Sequence, residues 1–187
     1  SFFMFTYFTD RDGKFQLAAL SESAFDPLAR TTRFMLTEEA HHMFVGESGV
    51  SRTVARTCQV MNELKTDDVA RLRAAGVIDL PTIQRYLNFH YSVTIDLFGA
   101  DQSSNAAAFY SSGLKGRYEE GRRSDDHVLK AQSYGILEVK DGKLAEHEVP
   151  MLNALNEVLR DDFIKDSVAG VGRWNRVIEK AGIPFRL

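Results

Sequence analysis

Two overlapping Glu-x-x-His pairs form the clearest metal-binding pattern in the chain. They are Glu38 with His41 and Glu39 with His42, in the run LTEEAHHM. Three-residue spacing on a helix places each carboxylate beside its imidazole, so either pair can offer two ligands to one ion. The run contains no His-Glu-x-x-His, and it therefore does not favour a zinc protease.

The apolar face of the surrounding helix distinguishes the two pairs. At about 100° per residue, Glu39 and His42 fall within the apolar stripe that contains Met35, and the other pair falls to one side of it. A carboxylate on such a face costs several kcal/mol unless an ion compensates it. A second carboxylate is expected from a neighbouring helix, and Asp10, which ends the apolar run FMFTYFTD, is the best candidate. The predicted metal ligands are therefore Asp10, Glu39 and His42.

Three functions are compatible with this pattern. The first is an enzyme lobe with a metal centre, and the second is a ferritin-type protein that binds or oxidises iron without an organic substrate. The third is a metal-free helical interaction module in which Glu39 and His42 pair only with each other, because Glu-x-x-His occurs by chance in many helices.

Other polar clusters carry weaker signals. A solvated helix start is the expected role of Asp125, Asp126 and His127. His90 and Asp96 lie on nearly opposite sides of one helix and are expected to serve in packing. Glu47, near the glycines, is a surface carboxylate by default, and His147 is expected to be exposed. Scattered basic residues usually solvate helices, which weakens a phosphate-binding interpretation of the following set: Arg33, Lys115, Arg117, Arg122 and Arg123.

The elements that position the predicted ligands are expected to be mainly helices. An apolar helix over 1–10, buried on most sides, is loosened or bent by DRDGK, and a second helical pattern follows in FQLAALSESA. Asp26 as N-cap and Pro27 open a long helix to Met61, which Gly46 and Gly49 are expected to kink.

The rest of the chain is predicted to pack around these helices. A short helix and then a longer one are expected after LysThrAspAsp. The run ILEVKDGKLAEHEV predicts one hairpin near 136–149. The tail is predicted to be helical up to Gly182. The predicted fold is mainly α, a helical bundle half with extra C-terminal helices and one small β-hairpin. Residues 1–64 would carry the metal site and 65–187 an accessory region.

Composition narrows the function classes. A net charge of −3 over 187 residues does not favour nucleic acid or an anionic membrane as partner. The single cysteine, Cys58, excludes an internal disulfide and an iron–sulfur cluster held by this chain. The N-terminal apolar run of about nine residues is too short for a membrane span and has no basic leader, so a cytoplasmic location is expected. Its abrupt start predicts a piece of a longer polypeptide.

Three long runs also carry a family resemblance. LAALSESAFDPLARTTRFMLTEEAHHMFVGESGVSR, AAGVIDLPTIQRYLNFHYSVTIDLFGAD and AGVGRWNRV resemble the oxygenase component of benzoyl-CoA 2,3-epoxidase, a ferritin-like di-iron protein of aerobic bacterial benzoate degradation. The resemblance covers essentially the whole chain. It implies the C-terminal half of a ferritin-like bundle, whose earlier helices would supply the other ligands.

The resemblance also implies roles and partners. Asp10 matches the third-helix carboxylate, Glu39 the fourth-helix glutamate that can bridge two irons, and His42 the fourth-helix histidine. The implied cofactor is iron, and the implied partners are benzoyl-CoA, O₂ and a separate flavin/iron–sulfur reductase that uses NADPH. The chain itself has no nicotinamide or flavin fingerprint, in agreement with a separate electron donor.

Overall fold

Seven α-helices and one two-stranded antiparallel sheet make up the computed structural model, which describes all 187 residues. This confirms the prediction of a mainly α chain with a single hairpin. The elements in chain order are α1 (Phe2–Leu20), α2 (Asp26–Leu64), α3 (Val69–Ala74), α4 (Leu80–Phe98), α5 (Ser104–Ser111), α6 (Asp126–Ala131), β1 (Ser133–Lys140), β2 (Lys143–Pro150) and α7 (Leu155–Lys180), with 3₁₀ turns at Glu120–Arg122 and Met151–Ala154.

Local capping chemistry explains where the short helices begin. The Asp68 carboxylate accepts a hydrogen bond from Arg71 N at 2.8 Å and opens α3. Asp79 accepts one from Thr82 N, also at 2.8 Å, and opens α4 as predicted. Glycines end helices where the backbone turns left-handed, as at Gly76, with φ +77 after α3.

The hairpin is slightly longer than predicted. Strands β1 and β2 pair from Ser133 with Pro150 to Lys140 with Lys143. The two turn residues, Asp141 and Gly142, both have positive φ, at 52° and 74°. That conformation matches the right-handed twist of the strands, which is why AspGly predicted the turn.

Two predictions about α1 and α2 were wrong. Helix α1 runs without interruption through DRDGK, because Arg11 and Asp12 in that run are buried rather than solvated. Helix α2 begins at Asp26 itself, so Asp26 lies in the first turn and pairs with Arg30 instead of acting as N-cap. The helix also continues past Met61 to Leu64.

The apolar start of α1 is only partly buried. Tyr7 and Phe8 have no exposed surface, whereas Phe2 and Phe5 are 65% and 51% exposed. The prediction of a helix buried on most sides was therefore wrong for one side of its first turns. The described chain provides no element that covers this side.

Gly46 and Gly49 allow close helix packing, and α2 is not interrupted there. A Cβ atom on Gly46 would lie 2.6 Å from the backbone nitrogen of Tyr7, and one on Gly49 would overlap the Phe3 ring. Glycine at both positions therefore lets α2 approach the backbone of α1. Helix α2 is continuous from Asp26 to Leu64, and a kink at the glycines stays a prediction.

The chain divides into two compact units, each with its own core. One consists of Ser1–Lys14, Thr37–Leu97 and Phe163–Leu187, with Tyr7, Val54, Leu80 and Trp174 in its core. The other consists of Phe15–Leu36 and Phe98–Asp162. The functional division into bundle helices 1–64 and an accessory region 65–187 stays a prediction. None of the helices combines the length and the apolar character needed to cross a bilayer.

Candidate metal centre

Asp10, Glu39 and His42 come together between α1 and α2. Their ligand atoms all lie within 4.8 Å of one another. His42 Nδ1 is 3.6 Å from Asp10 Oδ2 and 4.0 Å from Glu39 Oε2. Two ligand atoms that each lie about 2.1 Å from one ion are at most about 4.2 Å apart, so both separations suit a shared metal.

The other Glu-x-x-His pair points elsewhere. Glu38 and His41 are exposed, whereas the side chains of Asp10 and Glu39 are only 17% and 18% exposed. His42 is half open to solvent, at 49%. The helical-wheel argument therefore chose the carboxylate that lies beside Asp10.

The electrostatics of the site favour a cation. Burial is the main cause that raises the pKa of Asp10, and His42 opposes it. Burial and then the neighbouring Asp10 carboxylate raise the pKa of Glu39, again against His42. Glu39 Oε2 is buried and accepts no hydrogen bond. An orphaned buried carboxylate oxygen costs free energy, and a metal ion in this position would satisfy it.

A buried guanidinium holds α1 beside the site. Arg11, next to Asp10, is 4% exposed and lies 3.9 Å over the Tyr7 ring. Its Nε donates to Asp166 Oδ2 of α7 at 3.0 Å, and Lys14 Nζ donates to the same oxygen at 3.0 Å. These contacts fix the turn of α1 that carries Asp10. Sequence reasoning missed them, although the i, i+4 spacing of Tyr7 and Arg11 was a possible signal.

The turn of α2 that follows His42 is attached to α7. Glu47 makes a bidentate pair with Arg173, with Nη2 to Oε2 at 2.6 Å. The indole of the fully buried Trp174 donates to the Glu47 backbone oxygen at 3.1 Å. Glu47 is thus neither a free surface carboxylate nor turned to the metal group, and it helps to keep α2 in place.

Tyr7 is close to the site in sequence but keeps its proton. It lies one helical turn before Asp10, and its hydroxyl donates to Ser167 O at 3.1 Å. Burial is the main cause that raises its pKa to about 12. It therefore packs as a neutral phenol against Trp174, with ring centroids 4.7 Å apart.

The weaker clusters have structural partners. Arg117, 6% exposed, pairs with Glu120 at 2.7 Å and with Asp125 at 2.5 Å, and it lies 3.9 Å from Asp126. These carboxylates compensate the buried guanidinium, which leaves Arg117 saturated. His90 is buried and bonds to Ser1 Oγ at 3.0 Å, in agreement with a packing role. His147 is 45% exposed and faces Glu138 across the hairpin.

Comparison with known proteins supports the resemblance seen in the sequence. No family model matches the chain. The chain is 66% identical over 186 residues to the benzoyl-CoA oxygenase component B of Aromatoleum evansii, a match that covers 100% of this chain and 39% of that relative. The chain thus spans well under half of the curated relative it matches. The predicted resemblance is confirmed: along its whole length the chain is similar to part of a benzoyl-CoA oxygenase component.

Proposed function

We propose that this chain is the part of a benzoyl-CoA oxygenase that carries one half of a di-iron site. The observation that carries the proposal is the convergence of Asp10, Glu39 and His42 within 4.8 Å, with one buried Glu39 oxygen that accepts no hydrogen bond. The similarity to a benzoyl-CoA oxygenase component along the whole chain supports the choice of substrate.

The donor set suits iron. Two carboxylates and one imidazole are harder ligands than thiolates, and they match iron or manganese better than soft metals. In this proposal Asp10, Glu39 and His42 would hold the metal, and His42 would contribute Nδ1, its ring nitrogen near the two carboxylates. Three protein groups are too few for two ions, so the remaining ligands come from outside this chain.

The proposed reaction inserts one oxygen atom of O₂ into the ring of benzoyl-CoA to give 2,3-epoxybenzoyl-CoA, and two electrons and two protons reduce the other oxygen atom to water. Bound iron would supply the activation of O₂, which amino-acid side chains cannot provide. A separate NADPH-dependent reductase, with flavin and iron–sulfur groups, would deliver the electrons.

The residues of this chain serve chiefly to hold the site in place. Arg11, through Asp166, fixes the turn of α1 that carries Asp10, and Glu47, through Arg173, fixes the turn of α2 that follows His42. Both carboxylate ligands have raised pKa values as long as no cation is bound, so metal binding would release protons and strengthen with pH.

An anaerobic Fe²⁺ titration of matched variants tests the metal ligands. Glu39→Gln removes the charge of the proposed ligand and is expected to weaken Fe²⁺ binding by about tenfold or more. Glu38→Gln removes the same charge from the adjacent, exposed position and should bind as the wild type does. Equal iron affinity in the two variants would rule out the proposed ligand set.

Oxygen consumption tests the reaction. In the complete polypeptide with its reductase, O₂ uptake should depend on benzoyl-CoA and yield an epoxide. Uptake that proceeds equally without benzoyl-CoA would favour the ferritin-type alternative instead.

A further inference from the structure

A groove beside the second half of α2 stands out for its charge. It has a volume of about 580 Å³, and it lies in the same unit as the proposed metal ligands. Its charged residues are Arg52 and Arg56, and no carboxylate lines it. Its remaining lining residues include Phe3, Val77 and Ile78. The groove therefore combines two cations with an apolar wall.

The two arginines are available to a ligand. Arg52 is exposed and makes no ion pair, and Arg56 makes only a loose contact with Glu63 at 3.9 Å, with both side chains more than half exposed. Such a surface pair is worth little and is readily exchanged. Arg117 and Arg173, which line two other cavities, differ in this respect because carboxylates hold them at short distance.

Two guanidinium groups one helical turn apart suit a phosphorylated ligand. Residues four apart on a helix lie on the same side, so Arg52 and Arg56 can contact neighbouring phosphate groups with charge-assisted hydrogen bonds. The Phe3 ring is 39% exposed and Ile78 is 48% exposed, which leaves apolar surface for a flat base. Glycine at 49 and 76 keeps the groove free of further side chains.

The spacing along α2 matches the length of a coenzyme A arm. Arg52 lies ten residues after His42, which is about 15 Å at 1.5 Å per residue. The pantetheine arm has about twelve bonds between its phosphate oxygen and its sulfur, or roughly 14 Å when extended at the reach of a polypeptide backbone. The arm is therefore long enough to span the separation along α2 between Arg52 and His42.

We propose that this groove binds the adenosine 3′,5′-bisphosphate end of a coenzyme A thioester, with Arg52 and Arg56 on its phosphates. The inference rests on the proposed function for the identity of the thioester. Binding at the groove is tested without iron, O₂ or benzoate, so either proposal can be refuted without the other.

Calorimetric titration of the 187-residue chain with adenosine 3′,5′-bisphosphate is the test. The double variant R52Q/R56Q should raise the Kd about tenfold or more, because each lost guanidinium removes a charge-assisted contact. The control R71Q/R85Q removes the same charge from exposed residues of the same unit that do not line the groove, and it should change the Kd less than about twofold at 0.15 M salt.

Four results would overturn the proposal. They are no binding to the wild-type chain, an unchanged Kd in R52Q/R56Q, an equal loss in the control, and binding of inorganic phosphate as tight as that of the nucleotide. All four substituted arginines are exposed, so unfolding is not expected, and an unchanged circular dichroism spectrum checks it. E39Q serves as the cross-check, since it should lose iron and keep the nucleotide.

Discussion

The buried N-cap Asp79 offers a sharp test of the packing around the α3–α4 connection. Its carboxylate is 1% exposed and accepts hydrogen bonds from Thr82 N at 2.8 Å and from Arg73 Nε at 2.9 Å. Asp68 caps α3 with a 2.8 Å contact to the backbone nitrogen of Arg71, but its side chain is exposed and pairs with no guanidinium group. Each residue therefore caps its own helix in the same way, but only Asp79 is buried and paired with an arginine.

The expected losses in the free energy of unfolding follow from these contacts. Asp68→Ala removes an exposed cap and should lower the free energy of unfolding by about 1 kcal/mol. Asp79→Ala removes a cap of the same kind and also a charge-assisted bond, which adds about 1.5 kcal/mol at the low end because Arg73 is 59% exposed and can be rehydrated. The expected loss is about 2–3 kcal/mol. Asp79→Asn keeps the cap and should lose about half of that.

Protonation of Asp79 adds a pH signature. Burial alone would raise its pKa, but the hydrogen bonds from Thr82 and Arg73 outweigh burial and hold the pKa below its ordinary value. A depressed pKa contributes stability that is complete above the unfolded-state pKa, near 3.8, and is lost as the pH falls through the folded-state pKa. The stability difference between wild type and Asp79→Asn should therefore be constant from pH 7 to about 5 and shrink below 4.

Urea denaturation provides the measurement. Circular dichroism reports all helices, and fluorescence reports Trp174, the single tryptophan, which is fully buried in α7. Coincident transitions define one free energy of unfolding, and an unchanged m-value shows that the variants alter stability alone. A loss in Asp79→Ala no larger than in Asp68→Ala would refute the reasoning from burial and pairing. A stability difference between the wild type and Asp79→Asn that stays constant down to pH 3 would also refute it.

Two further substitutions test how α1 is held beside α2 and α7. Gly46→Ala places a methyl group 2.6 Å from Tyr7 N and should cost about 1–3 kcal/mol and weaken Fe²⁺ binding, whereas Gly172→Ala, with nothing within 4 Å, should be neutral or slightly stabilising in the same urea assay. Equal effects would contradict the close approach of the helices. Arg11→Met removes a buried guanidinium from Asp166, which Lys14 still contacts, and should cost about 1–3 kcal/mol, against under about 0.5 kcal/mol for the exposed Arg30→Met. Similar losses in these two variants would show that Arg11 carries no buried charge pair.

Local chemistry made much of the fold predictable. AspGly gave the hairpin, Asp79 opened a helix, and Gly182 ended one, because each of these signals acts within a few residues. The preference for Glu39 over Glu38 was predictable for the same reason, since helical periodicity decides which side chain faces a neighbouring helix.

Long-range pairing explains what the sequence left hidden. Arg11 and Asp166 are 155 residues apart, so nothing local shows that the charged run after Asp10 is buried and helical. The close packing at Gly46 was missed because its neighbour, the backbone of Tyr7, belongs to another helix. In both cases the residue type signalled a special environment, and only the tertiary structure identifies which one.

Helix α2 links the two proposals physically. It carries Glu39 and His42 near its middle and Arg52 and Arg56 further along, in one uninterrupted run from Asp26 to Leu64. A helix is stiff, so its rise of about 1.5 Å per residue fixes the distance between a site for iron and a site for phosphate. Close packing at Gly46 and the Glu47–Arg173 pair secure the stretch between them. Packing of Gly46 and Gly49 against α1 helps to hold that distance constant.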